Sequence, residues 1–453
     1  MKKIHFIAIG GSVMHQLAIT LKNKGYTITG SDDEIYEPAH SNLEKAGLLP
    51  TDEGWHPEKI TPELDAIILG MHSRNENPEL QKARSLNIPV YSFPEYIYEE
   101  SRQKERVVVG GSHGKTTITS MILHVLNQCG RDFDYLVGAQ LPGFDYSVKL
   151  SNAPVIICEG DEYPASAIQK IPKFLFYHPQ IAVLSGIAWD HINVFPTFEN
   201  YVEQFAMFIM EMQPGATLIY NGTDPQLVKV VEKEGTHLQL IPYKIPAYHI
   251  ENGKTIVQFG NHSATLEVFG SHNLQNLQAA KLVCGKLGVS EADFLHAISS
   301  FKGASKRLEK MFEAPDAILY RDFAHAPSKV KASVHAVKEQ FPDRKLIAIL
   351  ELHTYSSLNA TFLPEYHNAM QEADSAVVFY SRHALSIKHL PDLSFEMIRQ
   401  GFNRNDLHII NDLEELKLFI SLAPARDANL LMMSSGSFGN TTMDEIIRLW
   451  QKK

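Results

Sequence analysis

Hydrophobic positions along this 453-residue chain follow two periods that take turns. Short apolar or β-branched runs at residues 4–9, 27–29, 66–69, 89–91, 107–109, 155–158, 181–184, 217–220, 317–320, 345–350, 375–379 and 430–433 have the length and apolar character of buried strands. Between them, residues 14–24, 41–46, 78–85 and 118–126 carry apolar side chains at helical spacing. Strands alternating with amphipathic helices predict parallel sheets with helices packed on their faces. In such sheets ligands sit at the carboxyl ends of the strands, so the loops after each run are the candidates for chemistry.

The alternation is interrupted at residues 99–106 (EESRQKER), which read as a charged linker. The expected architecture is three consecutive α/β domains: a Rossmann-like domain over residues 1–105, a central P-loop ATPase domain over 106–306 and a Rossmann-like C-terminal domain over 307–453.

Composition narrows the partners. Hydrophobic residues at 44% and charged residues at 21% suit an ordinary globular core. The formal net charge of -10 disfavours a nucleic acid, whose phosphates demand a basic face. Cys129, Cys158 and Cys284 are far apart and lack metal-ligand spacing, which predicts reduced thiols. No apolar run approaches the ~20 residues of a membrane span, and the apolar start at 4–9 is too short for a secretion signal. A cytoplasmic protein without a membrane partner is the expectation.

The densest chemical signal follows the run at 107–109, where Gly110-Gly111-Ser112-His113-Gly114-Lys115-Thr116-Thr117 leads into an apolar helix. Backbone N–H groups of such a loop, the positive end of the helix and the lysine charge together suit a nucleotide triphosphate. Glycine is missing at Val109, so the loop is one residue shorter than a strict phosphate-loop pattern, with Gly110 or Gly111 making the turn. ATP is the expected ligand. Glu159-Gly160-Asp161-Glu162 and Trp189-Asp190-His191 follow neighbouring strands, where Mg²⁺ ligands for ATP chemistry belong, with the Thr116 hydroxyl joining them. A solvated acidic turn and a helix-capping His191 are the plainer alternatives. In the first segment Gly10-Gly11 follows strand one and Ser31-Asp32 follows strand two, a pattern able to hold the diphosphate and ribose of a nucleotide. A nicotinamide-dependent oxidoreductase would account for Gly10, Gly11 and Asp32 but leave the central loop idle. A P-loop regulator would account for Lys115 but not the flanking domains.

Five ordered motifs, His113-Gly114-Lys115-Thr116-Thr117, Glu159-x-Asp161-Glu162, Asp190-His191, Gly270-x-His272-Asn273-x-x-Asn276 and Asp322-Phe323-Ala324-His325-x-Pro327, resemble those of the Mur ligases in order and spacing. The opening Ile7-Ala8-Ile9-Gly10-Gly11, Ser31-Asp32 and Asn77-Pro78-Glu79 resemble the uridine-nucleotide domain of the members that use UDP-N-acetylmuramate. The resemblance implies a cytoplasmic amide ligase, monomer or weak dimer, that joins the carboxylate of this nucleotide to an amine through an acyl phosphate. Gly10, Gly11, Ser31, Asp32 and Ser73 would contact the uridine nucleotide. Gly111, Ser112, His113, Gly114, Lys115, Thr116 and Thr117 would hold the ATP phosphates; His272, Asn273 and Asn276 would lie on the adenine side. Thr116, Glu159 and His191 would hold Mg²⁺, while Arg307, Asp322 and His325 would complete the catalytic set.

Within the family the motifs around Glu159, Asp322 and Met433-Ser434-Ser435-Gly436-Ser437-Phe438-Gly439 look more like members that attach the tripeptide L-alanyl-γ-D-glutamyl-meso-diaminopimelate. Leu352-His353-Thr354-Tyr355-Ser356 looks more like members that attach L-alanine. The balance favours the tripeptide, with L-alanine as the alternative. Gly436 is expected to keep the crevice edge low and its N–H open to a carboxylate. Gly186 and Asn193 stand where relatives often carry asparagine and aspartate.

Overall fold

The computed structural model describes every residue except 139, 140, 142, 145, 167, 190–193, 452 and 453. The chain divides into two compact units, Met1–Ile187 with Phe198–Lys244 and Ala279–Ser290, and Ala188–Thr197 with Ile245–Gln278 and Glu291–Lys453.

The first unit holds two sheets. β1 (Lys3–Ile7), β2 (Thr27–Ser31), β3 (Ala66–Leu69) and β4 (Val90–Ser92) form a parallel sheet in the order β2-β1-β3-β4. The larger sheet contains β5 (Glu105–Gly110), β6 (Asp134–Leu136), β7 (Val148–Lys149), β8 (Val155–Glu159), β9 (Ile181–Leu184), β10 (Thr217–Asn221) and β11 (Gln239–Tyr243). Its order is β11-β10-β9-β5-β8-β6-β7, all parallel except the β6–β7 pair. After β5 the chain crosses to one side for β6 to β8 and then returns to the other for β9, so β5 lies at the switch point where a crevice opens. Val107 to Val109 are fully buried, as a strand covered on both faces requires.

The second unit holds an antiparallel meander, β12 (Ala247–Glu251), β13 (Lys254–Phe259) and β14 (His262–Leu266), and a six-stranded sheet. The latter contains β15 (Glu309–Ala314), β16 (Ala317–Asp322), β17 (Lys345–Leu352), β18 (Ser375–Tyr380), β19 (His408–Ile410) and β20 (Ala428–Met433), ordered β15-β16-β20-β17-β18-β19. Only its edge pair β15–β16 is antiparallel. Successive residues feed opposite cores. Ile318, Tyr320, Leu346 and Ala348 pack with Val330 and Val334 of the helix Pro327–Gln340, while Leu319, Ile347 and Ile349 pack with Ile446 and Trp450 of the helix Met443–Trp450.

The α/β class and the predicted strands are therefore present, with boundaries moved by a residue or two. Two expectations fail. Residues 99–106 are not a linker: 99–101 end the helix Phe93–Ser101 and Glu105 opens β5. The charges on Glu100, Lys104 and Arg106 are buried and hydrogen-bonded, while Arg102 and Glu105 are exposed. Glu100 receives Lys24 and the Tyr96 hydroxyl, at 3.0 Å from the latter, and buried Arg106 donates to the carbonyls of Tyr177 at 2.9 Å and Ser101 at 3.0 Å. The meander is the second difference, since only α/β layers were expected between residues 106 and 306. Among the described residues no helix is long and apolar enough to cross a membrane. Among the described residues Cys129, Cys158 and Cys284 form no disulfide.

Lys104 fixes the start of the central sheet. Its ammonium donates to Asp134 at 2.6 Å and to the carbonyls of Ser151 and Ala153, both at 2.8 Å, which uses all of its donors. Both side chains of the pair are buried. Asp134→Ala should strand that ammonium and cost on the order of 3 kcal/mol or more, read as a lowered thermal midpoint. The double variant Lys104→Met/Asp134→Leu should recover most of the loss; equal melting of the single and double variants would show that the pair is not the cause.

Candidate active site

The central cradle is built where β5, β8 and β9 end side by side. Gly111, not Gly110, makes the turn: its φ is +121°, and a Cβ there would lie 2.1 Å from Ser185 Oγ. Gly114, at φ +79°, precedes the helix Lys115–Gln128, which places the positive helix end behind the loop. Ser112 N–H donates to the Gly186 carbonyl at 3.0 Å, and Ser185 Oγ donates to the carbonyl of His113. Gly186 itself has φ +147° and would carry a Cβ only 2.9 Å from Asp224 Oδ2, which explains a glycine at this position.

Lys115 donates to the Gly111 carbonyl at 2.7 Å and to Glu162 Oε2 at 2.6 Å. Burial pulls its ammonium pKa down, but Glu162, Asp161 and Glu159 outweigh that and hold it above the ordinary lysine value. Fully buried Tyr201, on the helix Phe198–Glu211, lies 2.7 Å from Glu162 Oε1 and 2.8 Å from Ser112 Oγ. Its single hydroxyl proton goes to the carboxylate, and the serine hydroxyl donates to it. Tyr201 was missed as a site residue, and Glu162 was expected only within the acidic cluster near Mg²⁺ and not as the partner of Lys115, because each meets Lys115 or the loop only through the fold. Thr116 Oγ1 donates to Glu159 Oε1 at 2.8 Å, while Glu159 Oε2 accepts the Gly138 N–H at 2.8 Å. Thr117 is buried in the first helical turn.

Among the described residues no group of three or more His, Cys, Asp or Glu forms a metal cage. Thr116 and Glu159 nonetheless fit Mg²⁺, which keeps several waters and takes one or two protein oxygens alongside phosphate. Asp190, His191 and Asn193 lie outside the described residues, and with them the expected histidine contact.

In the first sheet Gly10 N–H donates to Asp32 Oδ2 at 2.7 Å, and a Cβ on Gly10 would sit 2.9 Å from that oxygen. Burial pushes the Asp32 carboxyl up to about 6 despite that hydrogen bond. The Gly11 carbonyl lies 2.9 Å from His15 Nδ1. Ser31 is buried, and buried Ser73 Oγ has no hydrogen-bond partner among the described residues, an orphan a polar ligand would satisfy. Asn77-Pro78-Glu79 proves structural. Asn77 Oδ1 caps the helix Pro78–Ser85, and fully buried Glu79 meets His5 Nε2 at 3.2 Å and the His56 N–H at 2.6 Å. Burial raises the Glu79 pKa, yet the hydrogen bonds from His5 and the His56 N–H prevail and hold it below the ordinary value.

In the second unit Asn273 Nδ2 donates to the Phe269 carbonyl at 2.9 Å at the start of the helix Ser271–Lys286, so one of its donors is already used; Asn276 is buried nearby. His272 Nδ1 is buried without a hydrogen-bond partner among the described residues, and burial lowers its pKa against the opposing pull of Asp322. Asp322, at the end of β16, accepts from Ser333 Oγ. The Arg307 guanidinium lies 4.8 Å from the centre of the Phe323 ring, whose other neighbour is the His325 ring at 5.2 Å; His325 Nδ1 bonds the Phe323 carbonyl at 2.8 Å. Phe323 thus links Arg307 and His325, with the two rings meeting edge-to-face at 87°. Gly436 departs from expectation: its N–H is already given to Ser434 Oγ at 2.7 Å, and a Cβ would lie 2.7 Å from the His353 ring.

Residues 3–105 match the Mur ligase family catalytic domain and residues 109–284 the Mur ligase middle domain. A UDP-N-acetylmuramate–L-alanine ligase from Sulfurihydrogenibium sp. is 31% identical, with 96% of this chain and 95% of the relative covered. The chain belongs to the Mur ligase family. A UDP-N-acetylmuramate–L-alanyl-γ-D-glutamyl-meso-2,6-diaminoheptandioate ligase from Haemophilus influenzae is 27% identical over 97% of each chain. The solved UDP-N-acetylmuramate–alanine ligase of Thermotoga maritima superimposes with a TM-score of 0.70 at 21% identity, covering 100% of both chains. As a Mur ligase the protein is an ATP-dependent, peptide-forming ligase.

Two outcomes follow from this Mur ligase site. Tyr201→Phe removes a hydrogen bond to a buried carboxylate, so kcat/KM for ATP should fall on the order of tenfold and the melting point by a few degrees; an unaltered ATP dependence would remove Tyr201 from the cradle. Asp32 holds its proton more tightly in the folded state than the ordinary value near 3.9 allows. Its contribution to stability is thus present below about pH 4 and lost as pH rises through about 6. The stability of Asp32→Asn relative to the wild type should therefore rise between pH 4 and pH 7, measured by urea unfolding; a flat difference would contradict the raised pKa.

Proposed function

We propose that this Mur ligase joins the muramic acid carboxylate of UDP-N-acetylmuramate to the amine of L-alanyl-γ-D-glutamyl-meso-diaminopimelate at the expense of ATP. The observation that carries the reading is the cradle of Lys115, Thr116 and Glu159 at the switch point of the central sheet. A carboxylate is a poor acyl donor because oxide cannot leave. Attack of a carboxylate oxygen on the γ-phosphorus, with ADP leaving, gives an acyl phosphate; the amine then adds to the acyl carbon, and phosphate departs as the amine loses a proton. Charge spreads over the phosphoryl oxygens in the first step, so the main task of the protein is fixed electrostatics.

In this reading Lys115 neutralises the β- and γ-phosphates, and the loop N–H groups orient them. Thr116 and Glu159 hold Mg²⁺, which supplies the remaining positive charge. Asp32, with the Gly10 turn and the Ser73 hydroxyl, takes the uridine nucleotide. Arg307 and Asp322 act on ATP, and His325 helps position it or the amine.

For the amine, the favouring observation is a cavity of about 340 Å³ at the ends of β16 and β20, lined by Lys306, Arg321, Asp322, Ser434, Gly436 and Ser437 among others. It lies in the size range of small-molecule pockets and carries groups of both charges, as a peptide with several carboxylates requires. The competing reading, L-alanine, is favoured by the 31%-identical relative of that specificity.

ADP release by purified protein should require UDP-N-acetylmuramate and an amine together, with the tripeptide turned over faster than L-alanine. Faster turnover of L-alanine would replace the preferred amine and leave the ligase reading intact; ADP release without any acceptor carboxylate would overturn the ligase reading itself. Lys115→Ala should abolish turnover while uridine-nucleotide affinity, measured by calorimetry, changes less than about threefold.

A further inference from the structure

Glu351 is a buried carboxylate that the chemistry above does not use. It sits near the end of β17, next to β20, with Leu350 in register with Met433, the last residue of β20. Only 3% of the residue is exposed. Burying a carboxylate is unfavourable unless it is hydrogen-bonded, and here Oε2 accepts two hydrogen bonds. Oε2 accepts both the Ser434 hydroxyl and the Phe438 N–H, the latter at 2.9 Å. Ser434 Oγ in turn accepts the Gly436 N–H at 2.7 Å, and Ser434 N–H donates to the Asp322 carbonyl at 3.0 Å. Oε1 faces His353 Nδ1 at 3.9 Å. One oxygen thus folds the segment from Ser434 to Phe438, and that segment walls the 340 Å³ cavity that also contains Lys306 and Arg321.

We propose that Glu351 is a positioning residue for choice of the amine: by gathering Ser434 and Phe438 onto one carboxylate oxygen it sets the wall against which the incoming amine substrate is read. The inference rests on the cavity being the amine pocket of the proposed ligase. Glu351 touches no substrate itself and acts through the loop. Its hydrogen bonds within the loop go to Ser434 and Phe438, both of which line that wall.

Both loop hydrogen bonds end on Oε2, which makes a clean test available. Glutamine can place its carbonyl oxygen there and keep both, turning its amide toward His353, whereas alanine keeps neither. Steady-state kinetics of the full-length enzyme with the tripeptide and with L-alanine, each at saturating ATP and UDP-N-acetylmuramate, gives the amine preference as a ratio of kcat/KM values. Glu351→Ala should change that ratio at least tenfold, chiefly through the KM of the amine, with KM for ATP and for UDP-N-acetylmuramate within about twofold of wild type. Glu351→Gln should stay within about threefold of wild type in the ratio. Circular dichroism and a melting curve for each variant separate loss of fold from loss of selectivity, and the Gln variant keeps the proposal testable if the Ala variant does not fold. An unchanged ratio in a folded Ala variant would overturn the proposal, as would a Gln variant as altered as Ala or equal losses for all three substrates. Wild-type enzyme that accepts neither amine refutes the proposed function instead, before Glu351 is at issue.

Discussion

Backbone N–H groups in the loops beyond the strand ends have no ladder partner, and in this fold side-chain carboxylates accept them. The device recurs in all three large sheets: Asp32 takes the Gly10 N–H, Glu159 the Gly138 N–H and Glu351 the Phe438 N–H. Asp224 repeats it at the end of the central crevice by accepting the Ile187 N–H at 2.7 Å. An unsatisfied buried donor costs on the order of 1–3 kcal/mol, so these contacts are what let irregular loops hold one shape beside a crevice. The same geometry that stabilises the loops leaves carboxylate oxygens at the crevice edges where the proposed ligase would take its substrates. Structure and chemistry are therefore coupled residue by residue, and a change at Asp32 or Glu159 perturbs both.

The glycines follow from the same close approach. Gly111 and Gly186 adopt positive φ against Ser185 and Asp224, and Gly10 presses on Asp32 itself. Gly436 belongs with them. It was expected to leave an N–H open to a substrate carboxylate, yet that N–H serves Ser434, and a Cβ would meet Glu351 Oε2 at 2.9 Å. A bulky residue there would break the loop from within, before any question of substrate fit arises.

What the sequence made legible was local. Continuous apolar runs marked the strands because both faces of each parallel sheet are covered, and the glycine loop before Lys115 marked its own cradle. Two local signals were present and not used. Ser92 and Glu95 form a capping box that opens the helix Phe93–Ser101, so the charged run after it continues a structured segment. Asn252-Gly253, both at positive φ, is the turn pair of a hairpin and marks the meander. Tyr201, Glu351 and the contact of Glu162 with Lys115 were illegible for a different reason. The contacts Glu162–Lys115, Tyr201–Ser112 and Glu351–Phe438 span 47 to 89 residues of sequence, and no periodicity encodes a single buried hydrogen bond across that separation.

Electrostatics in the central cradle runs against intuition for a nucleotide site. Lys115 faces Glu162, Asp161 and Glu159, so one ammonium stands against three carboxylates, with Asp161 partly offset by Lys173 at 2.8 Å. The chain as a whole is also acidic, at -10. Loop N–H groups and the helix end add fractional positive charge, roughly half a unit for the helix. That sum does not neutralise a triphosphate. The cradle therefore requires added positive charge to arrive with the nucleotide. The Glu159 oxygen bonded to Thr116, already oriented by the hydroxyl and by the Gly138 N–H on its partner oxygen, is where a divalent cation would supply it at least reorganisation cost.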